Sequence, residues 1–176
     1  MAEPSEPLTQ VLDRGPGYLF AAHRNVVIAH WMAQGTGPLI AEFAKTLGAF
    51  VPRHQEGVSN INLIAAGLPL ANVEARQALS ALMKVHDGAM ACVGTVLDGT
   101  GFWASATRGL IMSLQLMAPS SFATRTCASD AEVIAWIIKP HAARTGVTLD
   151  AETLAGAIAE TRAHSAAPEG STAAVR

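Results

Sequence analysis

Charge is scarce in this chain. Of 176 residues only 15% are Asp, Glu, Lys or Arg, against about 25% in an ordinary soluble domain. Half are hydrophobic, and the mean hydropathy is +0.28. A chain so composed either buries more than its own surface allows or covers apolar surface with a partner. Long apolar runs are missing as well. No stretch of roughly 18 apolar residues occurs, so no membrane span is expected. Arg108 interrupts the nearest candidate, Phe102 to Met117. Lys and Arg nowhere cluster and are not interleaved with the few aromatics, so nucleic acid is not expected as a partner. The net charge of −2 divides into +2 over residues 17–146 and −4 in the flanking segments. Neither is a strong field. The first residues are acidic and proline-bearing rather than basic and then apolar, which argues against a signal peptide and for a cytoplasmic address.

Cysteine is almost absent. Cys92 and Cys127 both lie in apolar, strand-like segments. They are expected as small buried hydrophobes, since a disulfide does not suit that compartment and their spacing makes no zinc site. The six histidines stand singly. No Ser-His-Asp set, no carboxylate pair and no metal spacing can be picked out. No catalytic residue, metal ligand or cofactor is assigned, and the reading leans away from an enzyme.

What is present is an order of elements. Met1–Pro16, with three prolines and scattered acids, is expected to be a disordered tail, with room for a short packed turn at Leu8, Val11 and Leu12. Tyr18–Ala22 and Asn25–Trp31 are short apolar runs around His23-Arg24, which predicts a hairpin. Thr36 or Gly37, followed by Pro38, opens a helix with Leu39, Phe43, Leu47, Phe50 and Val51 as its buried stripe. Val58–Ala66 is a strand, and Asn72 caps a second helix that His86-Asp87-Gly88 stops. Ala89–Leu97 is uncharged, as a strand buried on both faces would be. Phe102–Met117 predicts a third helix, apolar nearly all round. Phe122–Cys127 is a short strand. Ser129-Asp-Ala-Glu132 is a capping box for a fourth helix that Pro140 limits or kinks. Residues 147–165 predict an extra C-terminal helix capped by Asp150, with Leu149 stapled to Leu154. Residues 166–176 predict a free tail. The fold class is therefore α/β: a small mixed sheet, an opening hairpin then parallel strands, flanked by four to five helices.

This order over about residues 17–145 resembles the STAS domain, the fold of bacterial anti-anti-sigma factors. It is also similar in shape to the SEC14-like lipid-binding fold. The resemblance rests on element order and on the turn at Gly67. It implies a regulatory domain in which a serine opening the helix after that turn is phosphorylated by a partner kinase. Here the turn reads Gly67-Leu-Pro-Leu-Ala-Asn-Val73 and holds no serine; Ser80 is the first to follow. The resemblance implies association with a protein partner or a second copy through Leu68, Leu70, Asn72, Thr100, Phe102, Trp103 and Arg108. Self-association through the third or fourth helix is a further expectation.

Other candidates carry two readings each. Asp98-Gly-Thr-Gly101 is either an anion-holding turn or simply a tight turn with a cap. Arg108, the one charge on the third helix, either reaches solvent or anchors an interface. His86-Asp87 pairs a base with an acid, but adjacent helical side chains do not face each other. His30, Trp31 and Asn62 could line a ligand pocket at the carboxyl ends of the strands, serving a small apolar ligand or, less expected, catalysis by His30 and Asn62. Otherwise Asn60 and Asn62 are just one polar face.

Overall fold

The computed structural model describes residues 7–99 and 120–166, and between them residues 105, 106, 108 and 109. The fold is α/β, as the element order requires. Six strands form one mixed sheet in chain order: β1 (Gln10–Gly15), β2 (Tyr18–His23), β3 (Val26–Trp31), β4 (Val58–Ile64), β5 (Met90–Leu97) and β6 (Ala123–Cys127). The first three run antiparallel to their neighbours, and β3 to β6 are parallel. Four helices flank the sheet among the described residues: α1 (Gly37–Phe50), α2 (Val73–His86), α3 (Asp130–Thr145) and α4 (Ala151–Ala166). The helix expected over Phe102–Met117 lies outside the described residues, except that Ser105, Ala106, Arg108 and Gly109 are helical.

Alternation along the strands builds two cores. Val27, Ala29 and Trp31 of β3 join Phe20, Leu39, Phe43, Leu47 and Leu82 under α1 and α2. Val26 and Ile28 join Ile61, Leu63, Cys92, Val96, Val133, Ile137, Leu154 and Ile158 under α3 and α4. Successive parallel strands added in one direction bring α1 and α2 to one face, because crossovers share a hand. The chain beyond β6 supplies the opposite layer. Phe20, Trp31 and Phe43 lock the first core, their ring centroids 5.0 to 5.2 Å apart at steep angles, an arrangement that aromatic quadrupoles favour.

The caps follow the sequence. The hydroxyl of Thr36 accepts from the Leu39 N–H at 3.4 Å, and Asn72 Oδ1 accepts from the Ala75 N–H at 2.8 Å. Ser129 Oγ accepts from the Glu132 N–H at 3.2 Å, while Glu132 reaches back to the Ala128 N–H at 2.8 Å rather than to Ser129. Asp150 Oδ1 accepts from the Thr153 N–H at 2.8 Å. Leu149 and Leu154 share the second core.

One expectation fails, and a second is narrowed. Residues 7–16 were assigned to a disordered tail, but Gln10–Gly15 is a strand. Its backbone pairs with β2, so the expected hairpin of β2 and β3 carries a third antiparallel strand. The segment is further tied down where the Leu8 carbonyl lies 2.8 Å from His23 Nδ1 and where Arg14 donates to the His164 carbonyl at 3.2 Å. Pro140 does not end α3. The helix runs on to Thr145 and stops at Gly146, which takes the left-handed φ of 73° and donates its N–H to the Ala142 carbonyl, an αL stop that glycine permits.

Candidate functional site

The turn after β4 is the surface where the sequence placed partner contacts. Gly67 has φ of 74°. Leu68 is half-buried, Leu70 is 42% exposed, and Val73, the first residue of α2, is 59% exposed. The turn is held by its backbone. Gln34 Nε2 donates to the Leu70 carbonyl at 2.8 Å, and the Asn72 N–H donates to the Gly35 carbonyl at 3.2 Å. The loop into α1 thus fixes the path of the turn while the Leu70 side chain stays in water. Asn72 occupies the capping position and spends its side-chain oxygen on the helix. Arg108 is exposed, which favours its reading as a solvent-reaching cation. Thr100, Phe102 and Trp103 lie outside the described residues.

The pocket expected from His30, Trp31 and Asn62 does not form. Consecutive strand residues point to opposite faces, so His30 and Trp31 are separated by the sheet itself. Trp31 Nε1 donates to Asn62 Oδ1 at 3.0 Å, Asn62 Nδ2 to Asn60 Oδ1 at 2.8 Å, and Asn60 Nδ2 to the Val27 carbonyl at 3.1 Å. That chain of donors lies on the α1–α2 face. His30 lies on the other, beside Leu63 in the register, its Nδ1 2.8 Å from Ser165 Oγ of α4. Burial pushes its pKa down, assisted by Arg162 and opposed by Asp98 and Asp130. A reaction shared by His30 and Asn62 is thereby excluded by geometry.

Two clusters escaped the sequence. Ser59 Oγ lies 2.7 Å from His141 Nδ1 and 3.1 Å from Cys92 Sγ. A hydroxyl beside an imidazole is the pairing of nucleophile and base, but all three residues are 0% exposed, and no substrate reaches them. Burial pushes the Cys92 thiol up to about 11, which leaves it protonated and inert. Both cysteines are free and buried, as small hydrophobes. The partners of Ser59 stand 33 and 82 residues away, and no local spacing announces such a contact. The second cluster is Arg162 of α4, with two forks. It reaches both oxygens of Asp98 at 2.7 and 3.0 Å and both of Asp130 at 2.8 and 3.0 Å. Burial disfavours the guanidinium charge, but the hydrogen bonds with Asp130 and Asp98 outweigh it and raise the pKa. Asp98 belongs to the turn weighed as an anion holder; its carboxylate instead holds α4 to the sheet.

At the amino ends of β4 and β5 a depression of ≈ 430 Å³ is lined by Pro52, His54, Glu56, Gly88 and Arg144, among others. Its charged groups already have partners. Arg144 donates to the carbonyls of Ser121 and Asp87, and His54 Nδ1 sits 3.0 Å from Glu56. No group of side chains among the described residues is placed to hold a metal ion. No helix there is long and apolar enough to cross a membrane. No protein-family model matches the chain, and no curated protein matches it.

Proposed function

We propose that this chain is a STAS-like regulatory or scaffold domain that acts by protein association, through the turn at Gly67–Asn72 and the start of α2. The observation that carries the proposal is the exposed apolar pair Leu70 and Val73 on a turn whose backbone is pinned from below. Apolar side chains on a fixed backbone lose less entropy on docking than those on a mobile one. Leu70, Ala71 and Asn72 stand near where the resemblance places a phosphorylatable serine, and none of them carries a hydroxyl. The resemblance adds Arg108, which is exposed, to the proposed contacts.

A photo-crosslinking residue at Leu70 tests this in cells, with one at Lys45 on α1 as control; light scattering gives the mass of the purified chain. Supporting results are a discrete protein adduct from position 70 alone, or a dimer that Leu70→Glu with Val73→Glu dissolves at unchanged melting temperature. A monomer that yields no adduct at position 70 overturns the proposal. The carrier reading has a weaker footing. The row of Asn60 and Asn62 makes the α1–α2 face of the sheet polar there, which suits an apolar ligand poorly.

A further inference from the structure

Three of the chain's histidines are buried, and all three belong to one layer. His23 and His30 are each 8% exposed, and His141 is 0% exposed. By strand alternation, His23 and His30 leave β2 and β3 on the α3–α4 side, and His141 comes down onto that side from α3. The buried residues between the sheet and α1 and α2, among those described, include no histidine; His86, the last residue of α2, is only partly buried. Each of the three imidazoles joins the sheet to a late or early element. His30 meets Ser165 of α4, His141 meets Ser59 of β4, and His23 meets the Leu8 carbonyl.

A neutral imidazole carries one N–H and one lone pair, whereas the cation carries two N–H groups. The Nε2 atoms of His23 and His141 are buried without a partner. A proton added to the His141 ring leaves a donor, and a charge, with nothing to meet them, and that is costly in a packed interior. The surrounding charges do not offset it. Arg24 opposes a charge on His141 and Glu56 favours it. Ser59 is shared with Cys92, whose thiol is neutral. Around His30, Arg162 opposes the charge, and Asp98 and Asp130, which favour it, already accept both forks of Arg162.

We propose that acid releases the α3–α4 layer from the sheet while the α1–α2 layer stays seated, baring the face that carries Ile28, Ile61, Leu63 and Val96. The device is independent of the turn at Gly67. It gives the domain a second, conditional apolar surface with the area of a whole sheet face.

Hydrogen exchange of the full chain at pH about 7.5 and about 5.5, across the ordinary histidine range, tests the proposal. Rates are corrected for intrinsic exchange. Peptides from 130–145 and 151–166 should lose protection about tenfold more than peptides from 37–50, the equivalent of one pKa unit. The His30→Asn, His141→Asn double variant keeps a hydrogen-bonding atom near each Nδ1 but does not titrate, and its two layers should respond alike. Equal loss from both layers in the native chain overturns the proposal, as does an undiminished difference in the double variant. Should that variant not fold, NMR titration of the native histidines decides. His30 and His141 should gain protons only as the α3–α4 signals shift. Protonation with those signals unmoved overturns it.

Discussion

Single residues here are constrained by what stands over them, and the two glycines Gly94 and Gly48 show the range. A Cβ on Gly94 would collide with Val133 Cγ2, with Trp136 close behind at 3.5 Å. Those two side chains hold α3 down on β5, so Gly94→Ala must lift the helix or turn the Val133 rotamer. Overpacking of this kind costs about 1–3 kcal/mol. Gly48 lies on the exposed side of α1 with nothing within 4 Å of a new Cβ. Gly48→Ala should stabilise by up to about 1 kcal/mol through helix propensity. Urea titration of both variants checks the pair; equal effects would mean that α3 does not press on β5 as described. Val133 and Gly94 meet 39 residues apart, so nothing local in the sequence separates these two glycines.

At the scale of elements, legibility followed the range of the forces. The caps at Thr36, Asn72, Ser129 and Asp150 were readable because a side chain and an N–H two or three residues on satisfy each other locally. The apolar stripe of α1 and the uncharged β5 were readable because periodicity reports burial. β1 was not. No residue of Gln10–Gly15 is fully buried, and its hold on the fold comes from edge pairing with β2 and from ties to His23, Gly156 and His164, contacts that leave no pattern in their own segment. The pocket of His30, Trp31 and Asn62 failed for a simpler reason: neighbours along a strand were read as neighbours in space. The contact at Gly156 gives an element-scale prediction. Gly156→Val displaces the Leu8 side chain, whose far end can move, so global stability should change by less than about 1 kcal/mol. β1 loses its anchor, and trypsin should cut at Arg14 several times faster than in the native chain. An unchanged cutting rate would mean that pairing with β2 and the contacts with His23 and His164 hold the strand without the Leu8 side chain.

For the whole molecule, the buried groups set a pH range in which the fold is most stable. His30, His86 and His141 all have pKa values lowered first of all by burial, from an ordinary 6.5. The unfolded chain therefore takes up their protons first, and stability falls as pH drops below about 6.5. Asp87, Glu132 and Asp150 accept hydrogen bonds from backbone N–H groups that hold their carboxylates below the ordinary range. Their contribution is present above the ordinary values and is lost in a second, more acid step. On the alkaline side the Cys92 thiol, ordinarily near 9.0, is pushed up to about 11 by burial. The unfolded thiol ionises first, so stability falls again as pH rises through that interval. Urea midpoints measured across pH should therefore form a plateau between about 7 and 9, with two descents on the acid side. Cys92→Ala should lower the plateau, since it removes a buried sulfur, yet flatten the alkaline descent. If the alkaline slope survives that substitution, the groups that ionise there lie elsewhere, and the seal around Ser59, Cys92 and His141 is not what limits the fold.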